Sequence, residues 1–426
     1  MTRVEGEGEI VIIDREGSVD SIVYRISESP RFFEYIVRGR DIWSAIDIVS
    51  RICGLCGVSY VYTASKAFEK CLGIDVDEEI EKIRVALHLA ERVKSHMIHI
   101  FYLNLPDLVH TRSSIEFIDR NPKIAKDALR VIAWSRKAME IFGGRSHNVV
   151  NIRIGGIYRA PERNDIEKLY RESSEVIESF TRFAEFCLSL RTVPKHQHKL
   201  SVASIYSKEY PHTGDHISLN GTIYSVSKFY RDISIGIQKR YSNALHYRIK
   251  GIESYIVGPI ARFNQFYSYL SKTVREFIEL YGWRQPLESI FQGFVARIAE
   301  TYEALLYLEE FFNNYYRYIH IQNERYRDRE SMDVCECEAV VEAPRGILYH
   351  RYRIDQGGRI ESCDIVTPTA QNLAAMEDIA SERLRGRKID DEETVSMARK
   401  IAVAFDPCIS CSVHTIPIKI HRASTK

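Results

Sequence analysis

The sequence predicts a mainly α-helical chain with small β-sheets near both termini, folded as one large unit. Three observations carry that class. Apolar residues recur at spacings of three and four through long interior stretches. Period-two alternation is confined to residues 1–27 and 347–366. No repeat, low-complexity stretch or long linker divides the 426 residues.

Taken in order, Val4, Ile10, Ile12, Val19, Val23 and Ile26 alternate with polar neighbours around the interruption DREGS, an N-terminal hairpin over 1–27. A helical body follows over about 57–320. Ile83, Leu87, Ala90, Val93, Met97 and Phe101 make one helical face, which Pro106 is expected to end. Ile166, Leu169, Val176, Ile177, Phe180, Phe183 and Leu188 make a second, opening after Pro161 and Asn164. A third, over about 288–318, carries Ile298, Tyr302, Leu305, Leu308 and Phe312, and its aromatic end FFNNYYRYIH reads as core. Residues 347–366 return to alternation around QGG, a C-terminal hairpin. A last helix, about Asp391 to Phe405, stops at Asp406-Pro407.

Composition narrows the function classes. Fifty-nine Lys+Arg against 58 Asp+Glu leave a formal charge of +1, which gives no grip on nucleic acid or an acidic membrane surface. Hydrophobic residues at 45% and charged residues at 27% are globular values. No apolar run is long enough to span a bilayer. The acidic start, MTRVEGEGEI, lacks a secretory signal, so the cytoplasm is the expected compartment.

Nine cysteines carry the chemistry. Cys71, Cys187, Cys335, Cys337 and Cys363 are expected to be buried structural thiols, because an odd count in a chain without a signal is not a disulfide framework. The other four form two Cys-x-x-Cys pairs, Cys53 with Cys56 in RICGLC and Cys408 with Cys411 in DPCISCSVH. Two such turns bring four thiolates to one soft-metal site, suited to zinc, iron clusters, copper(I) or nickel. Structural zinc usually joins ligands close in sequence. Here 352 residues separate Cys56 from Cys408, which favours a redox metal centre joining both ends of the chain. His196 and His198, in VPKHQHK, are expected to lie in a solvated loop.

The two pairs resemble the cysteine motifs of the [NiFe]-hydrogenase large subunit. RVEG (3–6), PRFFE (30–34), GGRSH (143–147), VGPIAR (257–262), EAPRG (342–346) and TPTAQN (367–372) resemble further segments of that family, in the same order. The length and the last motifs look most like the cytoplasmic bidirectional branch, with its NAD(P)-linked sulfhydrogenases and deazaflavin-reducing enzymes. The resemblance implies that family's fold over residues 1–414. It implies reversible heterolytic splitting of hydrogen at a nickel–iron centre whose iron carries carbon monoxide and cyanide.

Residue by residue, it implies Cys53 and Cys408 as terminal nickel ligands and Cys56 and Cys411 as bridges to iron. Cys408 is then the base, Glu5 the proton relay, and Arg345, oriented by Asp406, a fixed charge over the metals. Pro344 and Thr369 would line the diatomic ligands, and Glu34 and His414 would bind magnesium. Neither a further iron–sulfur motif nor a GxGxxG fingerprint is present. Iron–sulfur clusters therefore belong to a small-subunit partner, and any flavin or NAD(P) to reductase subunits. The family's maturation endopeptidase would act after His414 and release residues 415–426.

Three positions depart from the family pattern. Tyr60 replaces a histidine that serves a bridging sulfur, and is expected to donate its hydroxyl there instead. Glu7 and Ser95 stand where relatives often have histidine and aspartate. His147, in GGRSH, has no assigned role. The competing readings are a relative of the quinone-site subunit of respiratory complex I, which lacks the cysteines, and a zinc-bound scaffold protein.

Overall fold

Strands Gly8–Arg15 and Ser18–Ile26 pair antiparallel about a two-residue turn. Glu16 and Gly17 in that turn both have positive φ, 56° and 80°, the handedness that matches strand twist. The computed structural model describes residues 3–190, 192–194, 197–198, 200–315 and 333–413.

Four long helices, Glu78–Ile98, Pro122–Gly143, Arg163–Leu188 and Gly293–Asn314, pack side by side in a bundle. Their ends follow ordinary capping rules. Asp77 accepts from Glu79 N, Pro122 opens its helix, and Gly144 closes it at φ 75°. The aromatic end of the last helix is core, as expected. Phe312 stacks on Phe142 with ring centres 5.6 Å apart and meets Trp134 edge-on. Residues 316–320 of the expected helical body lie outside the described residues.

Pro106 does not end its helix. The chain stays helical to Leu108, but the ladder widens to a π-helical stretch at His99–Asn104 before the proline. Proline has no N–H to donate and its ring crowds the preceding turn, and the wider turn absorbs both defects.

The C-terminal hairpin forms from Gly346–Ile354 and Ile360–Val366, and belongs to a four-stranded antiparallel sheet. Its next strand is Cys335–Ala343, and Thr213–Gly214 closes the far edge. Ala343 pairs with Gly346, so Pro344 and Arg345 form a two-residue turn between strands. Helix Gly57–Leu72 packs across this sheet. Among the described residues three further small sheets lie mid-chain, one from Ile152–Arg153 and Gly156–Ile157, one from Ala203–Ile205, His216–Leu219 and Thr222–Ser225, and one from Ser234–Gln238 and Leu245–Ile249. Strands of three to five residues are too short for a period-two pattern to register, so the alternation at the chain ends did not foretell them. Among the described residues no helix is long and apolar enough to cross a membrane.

Candidate metal centre

Cys53 and Cys56 lie in the loop that feeds helix Gly57–Leu72, with Cys56 just before its first turn. The second pair lies where helix Glu392–Phe405 stops. Asp406 takes a left-handed conformation, φ 54°, which turns the chain through Pro407 to Cys408. A short helix, Ile409–Ser412, carries Cys411. The four sulfurs converge within 4.8 Å of one another. Cys53 Sγ stands 3.4 Å from Cys408 Sγ, Cys56 Sγ 3.9 Å from Cys411 Sγ, and Cys408 Sγ 2.8 Å from Cys411 Sγ.

All four cysteines are buried. The N–H groups of Leu55 and Cys56 each point at Cys53 Sγ from 3.3 Å, which favours a thiolate there. Burial pushes the Cys411 thiol above its ordinary range. Thiolates so close in so dry a place repel one another and need a cation among them. A four-sulfur donor set suits nickel and iron and does not suit a hard ion such as magnesium.

Arg345 sits over this cluster at the tip of its hairpin turn. Its Nε donates to Asp406 O at 2.9 Å, Nη2 to Asp406 Oδ1 at 3.0 Å and Nη1 to Ser95 Oγ at 3.2 Å. Burial works against its charge, and Asp406, Cys408, Cys56 and Cys53 together hold it protonated. Burial likewise opposes the Asp406 carboxylate, but Arg345, then His99 and Arg297, keep it below its usual range. Asp406 and Ser95 thus accept from the same guanidinium.

Thr369 Oγ1 accepts from Cys408 N at 2.9 Å, which leaves its own O–H proton available. It faces a hollow of about 10 Å³, room for the centre of one water-sized molecule, walled by Tyr60, Ala343, Leu348 and Pro368 beside the sulfurs. Pro344 stands in the adjoining turn, where its carbonyl accepts from Arg262. Tyr60 is buried against His350, ring centres 5.6 Å apart. Its expected bond to a bridging sulfur is not formed. Its hydroxyl is an unpaired donor among the described groups, at the wall of the hollow.

Glu5 reaches the second pair through its backbone and its side chain. Its carbonyl accepts from Ile409 N at 2.9 Å, and it bridges Cys408 as a parallel pair. Its carboxylate accepts from Ser410 Oγ at 2.5 Å and Ser410 N at 3.1 Å. Gly6 permits the approach. At φ 86°, a Cβ there would stand 2.8 Å from Ile409 Cβ and 2.9 Å from Ser410 N. The Glu7 backbone N–H donates to the Glu28 carboxylate at 3.0 Å. Glu34 is buried, accepts from Ile365 N at 2.7 Å, and shares a cavity of about 370 Å³ with Ser412. Val413 O accepts from Arg31 N at 2.8 Å, which fixes the chain beside Glu34. His414 and residues 415–426 lie outside the described residues.

Three supporting features had no role assigned from the sequence. Glu91 accepts from Val58 N at 2.7 Å, Ser59 N at 3.1 Å and Ser59 Oγ at 2.5 Å, and so caps the helix that follows Cys56. Burial raises its carboxyl to about 7. Its signal in the sequence is a charge continuing the apolar stripe Ile83, Leu87 at the next i+4 position. Second, Arg262 of VGPIAR binds Glu300 through two nitrogens at 2.6 and 2.7 Å and Glu342 of EAPRG at 2.7 Å, all three wholly buried. Arg262 also donates to the carbonyls of Ala343 and Pro344, which holds the Arg345 turn. Third, Asn372 of TPTAQN exchanges hydrogen bonds with Val257 N and O, and Gln371 donates to Ile347 O. The motif segments around the centre thus staple one another's backbones.

Two expectations need correction. Cys187 and Cys363 are buried thiols that burial holds protonated. Cys71 and Cys337, however, form a disulfide, with Cys335 beside them. A pairing across 266 residues leaves no trace in local spacing. His198 is buried rather than solvated, because its backbone N–H is bonded to Glu288 O at 2.9 Å, which ties it to the body. His196 lies outside the described residues. His147 is exposed beside Ser146 and takes no part in the centre.

Comparison with known proteins agrees with the geometry. The family described as nickel-dependent hydrogenase matches residues 31–128 and 203–414. The alpha chain of sulfhydrogenase 2 of Pyrococcus furiosus is 32% identical over 98% of each chain. The alpha chain of sulfhydrogenase 1 of the same organism is 29% identical over 98% of this chain and 97% of its own. An F420-non-reducing hydrogenase chain of Methanothermobacter marburgensis is 26% identical over 100% of this chain and 95% of its own. In fold, an NAD+-reducing [NiFe]-hydrogenase in its H2-reduced state superposes with a TM-score of 0.86 at 23% identity, over 97% of this chain and 98% of its own. With four thiolates from both ends of the chain meeting in one buried cluster, this chain belongs to the nickel-dependent hydrogenases, as the catalytic large subunit.

Proposed function

We propose that the four thiolates hold one nickel and one iron, with Cys53 and Cys408 terminal on nickel and Cys56 and Cys411 bridging to an iron that carries carbon monoxide and cyanide. The observation that carries this reading is the convergence of four buried sulfurs beneath a paired arginine. The bound centre supplies reversible heterolysis of hydrogen. The chain handles the proton. Cys408 Sγ is the base, and the proton passes to Glu5, whose carboxylate is already bonded to Ser410 between the two cysteines. Glu5 is half-exposed, so it stands between the buried sulfur and the outside. Arg345 offers a charge that cannot be neutralised at working pH, fixed by Asp406. Thr369, whose hydroxyl proton stays available at the hollow, would donate to a cyanide of the bound centre, and Pro344 stands in the turn beside it.

Glu34 and His414 bind a magnesium ion beside the second pair, in keeping with the oxygen preference of that ion. Electrons leave through an iron–sulfur small subunit. The relatives' names, as alpha subunits of sulfhydrogenases, support a complex with further subunits; reductase partners and a cytoplasmic location complete the reading. Residues 1–414 act as one catalytic unit, and a maturation endopeptidase removes 415–426 after metal insertion. The test is metal content, infrared spectrum and intact mass of the active complex. One nickel and one iron per chain, carbon monoxide and cyanide bands, and a chain ending at His414 are expected. Zinc in the four-cysteine site of an active preparation refutes the metal reading. A full-length chain with full activity refutes the processing.

A further inference from the structure

Three cysteines outside the metal centre meet at one point. Cys71 lies in the last turn of helix Gly57–Leu72. Cys335 and Cys337 are two apart on strand Cys335–Ala343 and therefore face the same side. Cys71 and Cys337 form a disulfide with Cα atoms 5.4 Å apart. Cys335 Sγ stands 2.7 Å from Cys71 Sγ, so Cys71 touches both strand sulfurs. Cys71 and Cys335 are half-buried and Cys337 is buried. Cys71 lies about 22 Å along the helix from Cys56, too far to exchange with the metal thiolates.

We propose that Cys71, Cys335 and Cys337 form a thiol–disulfide exchange site that accepts dithiols as reductants. The Cys335 thiolate attacks Cys71 Sγ. The Cys335–Cys71 bond forms as the Cys71–Cys337 bond breaks, and Cys337 leaves as a thiolate that takes up the proton Cys335 released. No electrons are gained or lost in that step. An external dithiol opens either linkage by the same displacement. It becomes a disulfide itself and delivers two electrons and two protons to the pair. Burial and the Asp333 carboxylate raise the Cys335 thiol, so its thiolate fraction is small and exchange is slow at neutral pH. The bond staples helix to sheet at the end away from the metals, while the near ends of the same two elements lead to Cys56 and the Arg345 turn.

The test is denaturing alkylation of the full chain, followed by trypsin and fragment sequencing of peptides 71–82 and 330–345. Wild type should give both Cys71–Cys337 and Cys71–Cys335 linkages, with the remaining strand thiol alkylated in each. Cys337→Ser should link Cys71 to Cys335, and prior dithiothreitol should leave all three thiols alkylated. A wild type holding only Cys71–Cys337, with Cys71 alkylated in Cys337→Ser, makes the bond a static staple and overturns the proposal. Three free thiols with a zinc or iron retained in wild type and lost in Cys71→Ser make it a metal site, and also overturn it.

Discussion

Replacing Glu300 by glutamine asks whether the buried ion network holds the Arg345 turn in place. Glu300 bonds Arg262 Nε and Nη2, Tyr210 Oη and His96 Nε2, all between 2.6 and 2.7 Å. Arg262 and Arg92, which donates to Glu342 O at 3.0 Å, balance Glu300 and Glu342 in charge, and glutamine leaves this dry cluster at +1. The amide is nearly isosteric, so no cavity contributes, but its NH₂ faces the guanidinium donors. Removing one partner of a buried pair costs about 3–5 kcal/mol. An unfolding entropy of roughly 2.1 cal/mol/K per residue gives about 0.9 kcal/mol/K for 426 residues, so Tm should fall by about 3–6 °C. Burial opposes the Glu300 carboxylate, but Arg262 outweighs it and holds the group well below its usual range. Its stabilisation is therefore complete above the unfolded carboxylate pKa of about 4.3 and is lost as pH falls through the lower folded value. Calorimetry on the metal-free full chain should show an undiminished gap between wild type and variant from about pH 8 to about pH 5, narrowing only in stronger acid. Hydrogen turnover of the loaded complex should fall with the turn displaced. A Tm shift under about 1 °C, or a gap that already narrows between about pH 8 and 6, refutes the reasoning.

Three further outcomes follow from the site. Glu5→Gln should keep nickel content but lose hydrogen–deuterium exchange, because an amide cannot relay a proton at neutral pH; near-normal exchange removes Glu5 from the path. Tyr60→Phe removes an unpaired buried hydroxyl, so the metal-free chain should be unharmed or stabilised by about 1 kcal/mol, while the loaded centre's cyanide or carbon monoxide bands should shift; unmoved bands mean that the hydroxyl meets no ligand. Gly6→Ala adds a Cβ at positive φ against Ile409 and Ser410, which should cost roughly 2 kcal/mol or more and pull Glu5 from the second pair; wild-type stability and turnover in this variant contradict the close approach.

The sequence alone determined what is local. The Cys53–Cys56 and Cys408–Cys411 pairs are readable because a Cys-x-x-Cys turn lets two thiolates converge on one metal. The stripes Ile83–Phe101 and Ile166–Leu188 declare helices because a 3.6-residue period is a property of neighbours along the chain. Glu5, Glu34, Arg345, Asp406 and Thr369 are readable only as members of motifs that resemble a family, since nothing in a lone arginine or threonine marks it. Tertiary structure decided the rest. The partners of Arg262, the cap that Glu91 gives to a helix 34 residues before it, and the bond between Cys71 and Cys337 all join positions far apart in sequence. Such contacts exist only after the bundle has packed on the sheet. Gly6 matters for the same reason. Its small size has no local signal, and its need appears only where the Ile409–Ser412 helix comes against it, because two segments at opposite ends of the chain cannot both fill that space.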